Sequence, residues 1–160
     1  MHRQTKARIA QLERQIRALD VEIDRRLRAC PEQSKAARIL RSVPGIAAIT
    51  ARAILSQCPE IGTLSPKQAA SLAGLAPMTR QSGKCQIRAR IQGGRKALRD
   101  ALYMPAIVAI RRNPDLSEKY ADLRNKGKPH KLAITAIMRK LIILANTLIK
   151  QDRIWQPKTT

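Results

Sequence analysis

The sequence predicts a mainly α-helical domain with one short β-hairpin and an amphipathic N-terminal helix. Ile and Leu recur at steps of three and four through residues 2–29, and aliphatic residues crowd the stretch 131–150. Phe is absent and only Tyr103, Tyr120 and Trp155 are aromatic, so the core must be built from Leu, Ile, Val and Ala, a composition suited to helix packing. Only residues 84–91 alternate with a period of two. A chain of 160 residues has room for one domain with a modest core and an appended helix. The expected layout is an amphipathic helix over 1–30, a helical domain over 31–150 and a frayed tail over 151–160.

Each element has its own justification. In residues 2–29, Ile9, Leu12, Ile16, Leu19 and Ile23 follow an a/d heptad rhythm, and charges fill the other faces. Two roles stay open for this helix: a coiled-coil dimerisation arm, or a helix packed on its own domain. Cys30-Pro31 ends it, because proline disfavours helical backbone in the residue before it. Ala37, Ile39, Leu40 and Val43 make the apolar face of a second helix. Val43-Pro44-Gly45-Ile46 turns the chain, and Ile49, Ala53, Ile54 and Leu55 belong to a third helix. Helix, Pro-Gly turn, helix resembles the helix-hairpin-helix motif, in which turn amides and the second helix N-terminus hold a phosphate. Pro44, Gly45 and Ile46 are the candidate backbone contacts, and Arg52 is the candidate side chain. The motif usually has a second glycine where Ala47 stands here, and Pro-Gly turns also join helices that bind nothing.

Ser65-Pro66 reads as an N-cap followed by proline at the first helical position, opening a small-residue helix that Gly74 stops. Gly93-Gly94 is a joint where backbone can approach a ligand closely. The next helix covers about 96–112, with Pro105 expected to kink it or start a new turn. Tyr103 lies in it without the Arg-His-Arg framework of a tyrosine nucleophile, so it reads as a core or rim residue. Asn113-Pro114 breaks the chain before a short helix, and 125–130 is a basic loop. The last helix, about 131–150, is apolar on most faces and is the expected core helix.

Charge narrows the function. The net charge is +21 and the pI about 11.3, which makes nucleic acid the expected partner and an acidic membrane surface its rival. No uninterrupted apolar run of membrane-spanning length occurs, and MHRQTKARIAQ lacks the apolar core of a signal peptide, so the expectation is a soluble intracellular protein. With so few aromatic rings to stack on bases, contacts should fall mainly on phosphates. Cys30, Cys58 and Cys85 form no metal-binding spacing and read as free thiols, so no metal site is expected.

The cations concentrate in APMTRQSGKCQIRARIQGGRKALR, residues 76–99, which contain no acid. Lys84, Gln86, Arg88 and Arg90 alternate with Cys85, Ile87, Ala89 and Ile91, the pattern of a half-buried strand with a cationic outer face. Ser82-Gly83 is turn chemistry, which sets Ser82 at or beside a bend among Arg80, Lys84, Arg88 and Arg90. A hydroxyl so surrounded suits attack on a phosphodiester; the plainer reading is a basic hairpin whose serine only makes the turn. Gly83, Gly93, Gly94, Arg95 and Arg99 complete the candidate phosphate contacts.

In order, SVPGIAAITARAIL, SLAGLAP, TRQSGK, the GG…LR joint, ALYMPAIVAIRRNP, EKYADLRNKGKPHKLA and the aliphatic helix with Arg139-Lys140-Leu141 resemble a known family. It is the C-terminal transposase domain of the DEDD-type insertion-sequence transposases, also described as bridge-RNA-guided recombinases. The resemblance spans about 38–150, and the N-terminal helix is similar to the family's coiled-coil segment. It implies that Ser82 is the nucleophile that forms a phosphoserine with DNA, with oligomers assembling around a structured guide RNA in the cytoplasm of a bacterial or archaeal cell. It also implies a RuvC-like half with four acidic, metal-binding residues. The eleven acids here form no such set, so this chain is expected to correspond to the C-terminal half and to be incomplete as a recombinase alone, with metal ions only in the RuvC-like half. A non-catalytic DNA- or RNA-binding module is the alternative.

Overall fold

The computed structural model describes residues 2–78, 81–82, 85–86 and 90–157. Helices hold most of the described residues and the described strands are two residues each, so the fold is mainly α. Contacts divide the chain into two compact units, residues 1–35 and 36–160.

The first unit is dominated by α1 (His2–Ala29), which Cys30 separates from Pro31. Ile9, Leu12, Ile16, Leu19 and Ile23 are all exposed. Near its C-terminal end, Glu22 accepts hydrogen bonds from Arg25 and Arg26 at 2.8 Å. Those two guanidinium groups, Arg25 first, hold the Glu22 carboxyl at about 2.

α2 (Pro31–Ser42) and α3 (Ala48–Gln57) follow, joined by the predicted Pro-Gly turn. α4 (Pro66–Leu72) opens with the predicted cap: Ser65 accepts from the Gln68 amide while the Gln68 side chain accepts from the Ser65 amide, a capping box. β1 (Pro77–Met78), β2 (Gln81–Ser82), β3 (Cys85–Gln86) and β4 (Arg90–Ile91) form two short antiparallel ladders, β1 with β4 and β2 with β3. α5 (Lys96–Arg112) runs through Pro105, which is buried within it. In α6 (Pro114–Asn125) the N-cap Asn113 accepts from the Leu116 amide.

α7 (His130–Lys150) is the central helix, as its composition predicts. It packs on α4, α5 and α6, while α5 also packs on α3. Ile134, Ile137, Leu141, Ile142, Ala145 and Leu148 recur at helical spacing and are buried, because one wide stripe of α7 meets three neighbours. Asn146, 2% exposed, stitches the loop before α4 to this helix: it accepts from the Gly62 amide and donates to the Leu64 carbonyl, both at 2.8 Å. By length and composition α7 could cross a membrane, yet half of its apolar window is buried inside the fold.

The chain after α7 departs from expectation. Trp155 packs against the core and its amide donates to Ser42 Oγ at 2.8 Å, so the segment up to Trp155 is anchored to α2 where fraying is predicted.

Candidate nucleic-acid interface

The turn between α2 and α3 is built by packing. Val43 and Ile46 are buried, and the Ile46 amide donates to the Val43 carbonyl at 3.0 Å. Gly45 has φ +108°, and a Cβ there would lie 2.7 Å from the Pro105 carbonyl oxygen and 2.9 Å from the Ala109 Cβ of α5. Glycine is therefore required by left-handed backbone and close helix contact together. As sources of phosphate contacts, Gly45 faces α5 and the Ile46 amide is already committed; Pro44 is half-buried beside them.

The open donors lie one step further on. The N-cap of α3 is Ala47, which has no side-chain oxygen to cap the helix, and the first turn holds no acid. The first amides of a helix have no intrahelical acceptor and carry the positive end of its dipole, which suits an anion. Ile49 in this first turn is 70% exposed, and Arg52 follows it, half-buried.

In the hairpin, Ser82 pairs with Cys85 and Gln81 with Gln86, so the backbone of Ser82 is the last paired position before a two-residue connection. Arg80, Gly83, Lys84 and Arg88 lie outside the described residues. Further from the bend, Pro77 pairs with Ile91 and Met78 with Arg90. The two ladders are offset by one residue, since two residues separate Met78 from Gln81 and three separate Gln86 from Arg90. Of the alternation expected over 84–91, Lys84, Ile87, Arg88 and Ala89 lie outside the described residues. Arg90 and Ile91 are both exposed.

Two candidate arginines are engaged by the protein itself. Arg95 makes a paired contact with Glu60, at 2.6 and 2.8 Å, and donates to the Gln57 carbonyl at 2.6 Å. Its guanidinium holds the Glu60 carboxyl down at about 2. Burial is the first cause that pushes the neighbouring Cys58 thiol up, with the Glu60 charge adding to it. Arg99 donates to the Gly93 carbonyl at 2.8 Å. The glycine joint serves the same crossing: the Arg95 amide donates to the Leu72 carbonyl at 2.7 Å, and a Cβ on Gly94 would collide with the backbone of Gly74. The backbone that Gly94 approaches closely is the protein's own, while Gly93 is exposed with open space around it.

Tyr103 is exposed on α5, as a rim residue would be. Among the described residues no group of three His, Cys, Asp or Glu side chains is placed to hold a metal ion.

A cleft of about 540 Å³ lies between β4 and the outer face of α7. Among the described residues its cations are Arg90, Lys131 and Arg139, and no acid lines it. Neither α7 residue figures among the candidates read from sequence. Their signal is Lys131, Thr135 and Arg139 at i, i+4 and i+8, a polar row along one face of a largely aliphatic helix.

Comparison with known proteins supplies the family. The model of the Transposase IS116/IS110/IS902 family matches residues 37–121. A pilin gene-inverting protein of Moraxella bovis is 37% identical over 142 residues, covering 86% of this chain and 44% of that protein. The insertion element IS900 uncharacterized 42 kDa protein of Mycobacterium paratuberculosis is 29% identical over 159 residues, covering 95% of this chain and 40% of its own. An insertion element IS110 protein of Streptomyces coelicolor is 29% identical over 147 residues, 90% of this chain and 35% of that one. The chain thus spans less than half the length of these relatives.

Proposed function

Since the chain belongs to the IS116/IS110/IS902 transposase family, we propose that it is the DNA-binding and strand-exchanging C-terminal part of a longer recombinase, with Ser82 as nucleophile. The observation that carries this reading is the backbone of Ser82 at the last paired position of a tight hairpin, within a stretch of seven cations and no acid. In the proposed step the Ser82 oxygen attacks a DNA phosphorus and the bond to the leaving sugar oxygen breaks. The serine proton departs, and the leaving oxygen takes one up. The phosphoserine ester keeps the phosphodiester's energy, so a hydroxyl of a second strand displaces the serine without a nucleotide cofactor. Serine needs activation for this step, and cations of the hairpin stabilise the charge that develops on phosphorus.

The α3 N-terminus and Arg52 serve as duplex contacts in this reading, in the manner of a helix-hairpin-helix motif. α1 associates with α1 of another copy through its exposed heptad residues. A structured guide RNA and a RuvC-like half complete the assembly in the cytoplasm, and metal ions enter only through that half.

The test is a covalent one. The full-length protein is incubated with DNA, digested, and searched by mass spectrometry for a nucleotide adduct on Ser82. Ser82→Ala should abolish the adduct and strand transfer while leaving DNA affinity within about twofold. Unchanged transfer would leave only the second reading, a binding module without catalysis, which the uncapped α3 N-terminus and the +21 charge favour independently.

A further inference from the structure

The cleft beside β4 has a composition that calls for a particular ligand. Three cations line it, beside Leu132, 51% exposed, and Ile91, 39% exposed. Aliphatic side chains left in water among cations suit a ligand that brings apolar faces and negative charge together. The contrast within the molecule is sharp. A cavity of about 490 Å³ between α6 and α7 is lined by Asp115, Glu118 and Asp122, with only Lys119 and Lys140 opposing them. Among the described residues, acids thus line that cavity and none lines this cleft.

Size and spacing narrow the ligand. A volume of about 540 Å³ falls within the ~300–1,000 Å³ of pockets that enclose a small organic molecule, too small for a double helix. Lys131 and Arg139 are separated by about 12 Å of helix rise, room for a short run of nucleotides. We infer that the cleft receives an unpaired stretch of the DNA strand, its bases against Ile91 and Leu132 and its phosphates on Arg90, Lys131 and Arg139. This rests on the reading of the chain as a DNA recombinase part. Strand exchange requires nucleotides to leave their duplex partner, and β4 continues from the hairpin that carries Ser82. Aliphatic rather than aromatic packing makes the contact tolerant of base identity, with thymine methyl groups the best fit.

The experiment measures binding of this chain by fluorescence anisotropy to three DNAs of one sequence: fully paired, with a short internal unpaired loop, and single-stranded. The loop-containing DNA should bind about tenfold tighter than the paired one. The Lys131→Ala, Arg139→Ala double variant should remove that preference and lower the salt slope by about 1.4, two contacts at ~0.7 each for single strands. The charge-neutral Leu132→Ser should weaken loop binding about threefold and leave paired binding unchanged. Equal losses on paired and looped DNA, or no initial preference, would overturn the inference while leaving a Ser82 adduct untouched. An RNA loop that binds tighter and suffers the same losses would reassign the cleft to RNA. A change of oligomeric state in Leu132→Ser would reassign it to a second copy of the chain. Failure to bind any of the three DNAs would sink the recombinase reading as well.

Discussion

Cys58, Glu60 and Arg95 show how one ion pair answers to pH. The carboxyl of Glu60, ordinarily at 4.5, sits at about 2 because Arg95 hydrogen-bonds its charged form. A group whose folded value is depressed adds stability above its unfolded value and loses it as pH falls through the folded one. The pair's contribution is therefore full above about 4.5 and disappears toward about 2. Arg95→Met should melt lower at pH 7, and its difference from the parent should shrink as pH falls through that window. Thermal unfolding followed at pH 7, 4.5 and 2.5 checks this; a difference that stays constant would mean Arg95 acts through packing alone. The parent's other lowered carboxyls, Glu22 and Asp122, cancel in the comparison because both proteins retain them.

α1 and α7 illustrate the two fates of an apolar stripe. In α7 the stripe meets α4, α5 and α6 and is buried. In α1 Ile9, Leu12, Ile16, Leu19 and Ile23 remain exposed, the residues that the α1–α1 association proposed above brings together. Ile16→Lys, a charge at the centre of that seam, should convert a self-associating chain into a monomer in analytical ultracentrifugation. Circular dichroism of the 36–160 helices should barely change. A parent protein already monomeric at tens of micromolar would remove the dimerisation role.

At the scale of the whole molecule, a charge of +21 must meet polyanions or repel itself. Four or more phosphate contacts, each adding about −0.9 to the slope of log K against log salt, would reduce duplex affinity about a hundredfold between 50 and 200 mM salt. A flat salt dependence would place the cations elsewhere than on the backbone. Formal charge overstates the phosphate-binding set, however. Arg95 neutralises Glu60 and Arg99 holds the Gly93 carbonyl, so both serve the crossing of 72–74 with 93–95.

Helices, turns and caps were legible because they are local. The three-four spacing marked α1 and α7, Ser65-Pro66 marked the start of α4, and Asn113-Pro114 marked that of α6. Each depends on neighbours within a turn or two of chain. The Ser82 bend was legible for the same reason, Ser-Gly being short-range turn chemistry. What a cation is for was not legible, since a guanidinium's partner can lie 35 residues away, as Glu60 does from Arg95. The one-residue offset between the ladders, the anchoring of Trp155 on Ser42 and the meeting of β4 with Lys131 and Arg139 were likewise settled only by tertiary structure. All of these are long-range contacts, and no local pattern encodes which distant residue completes them.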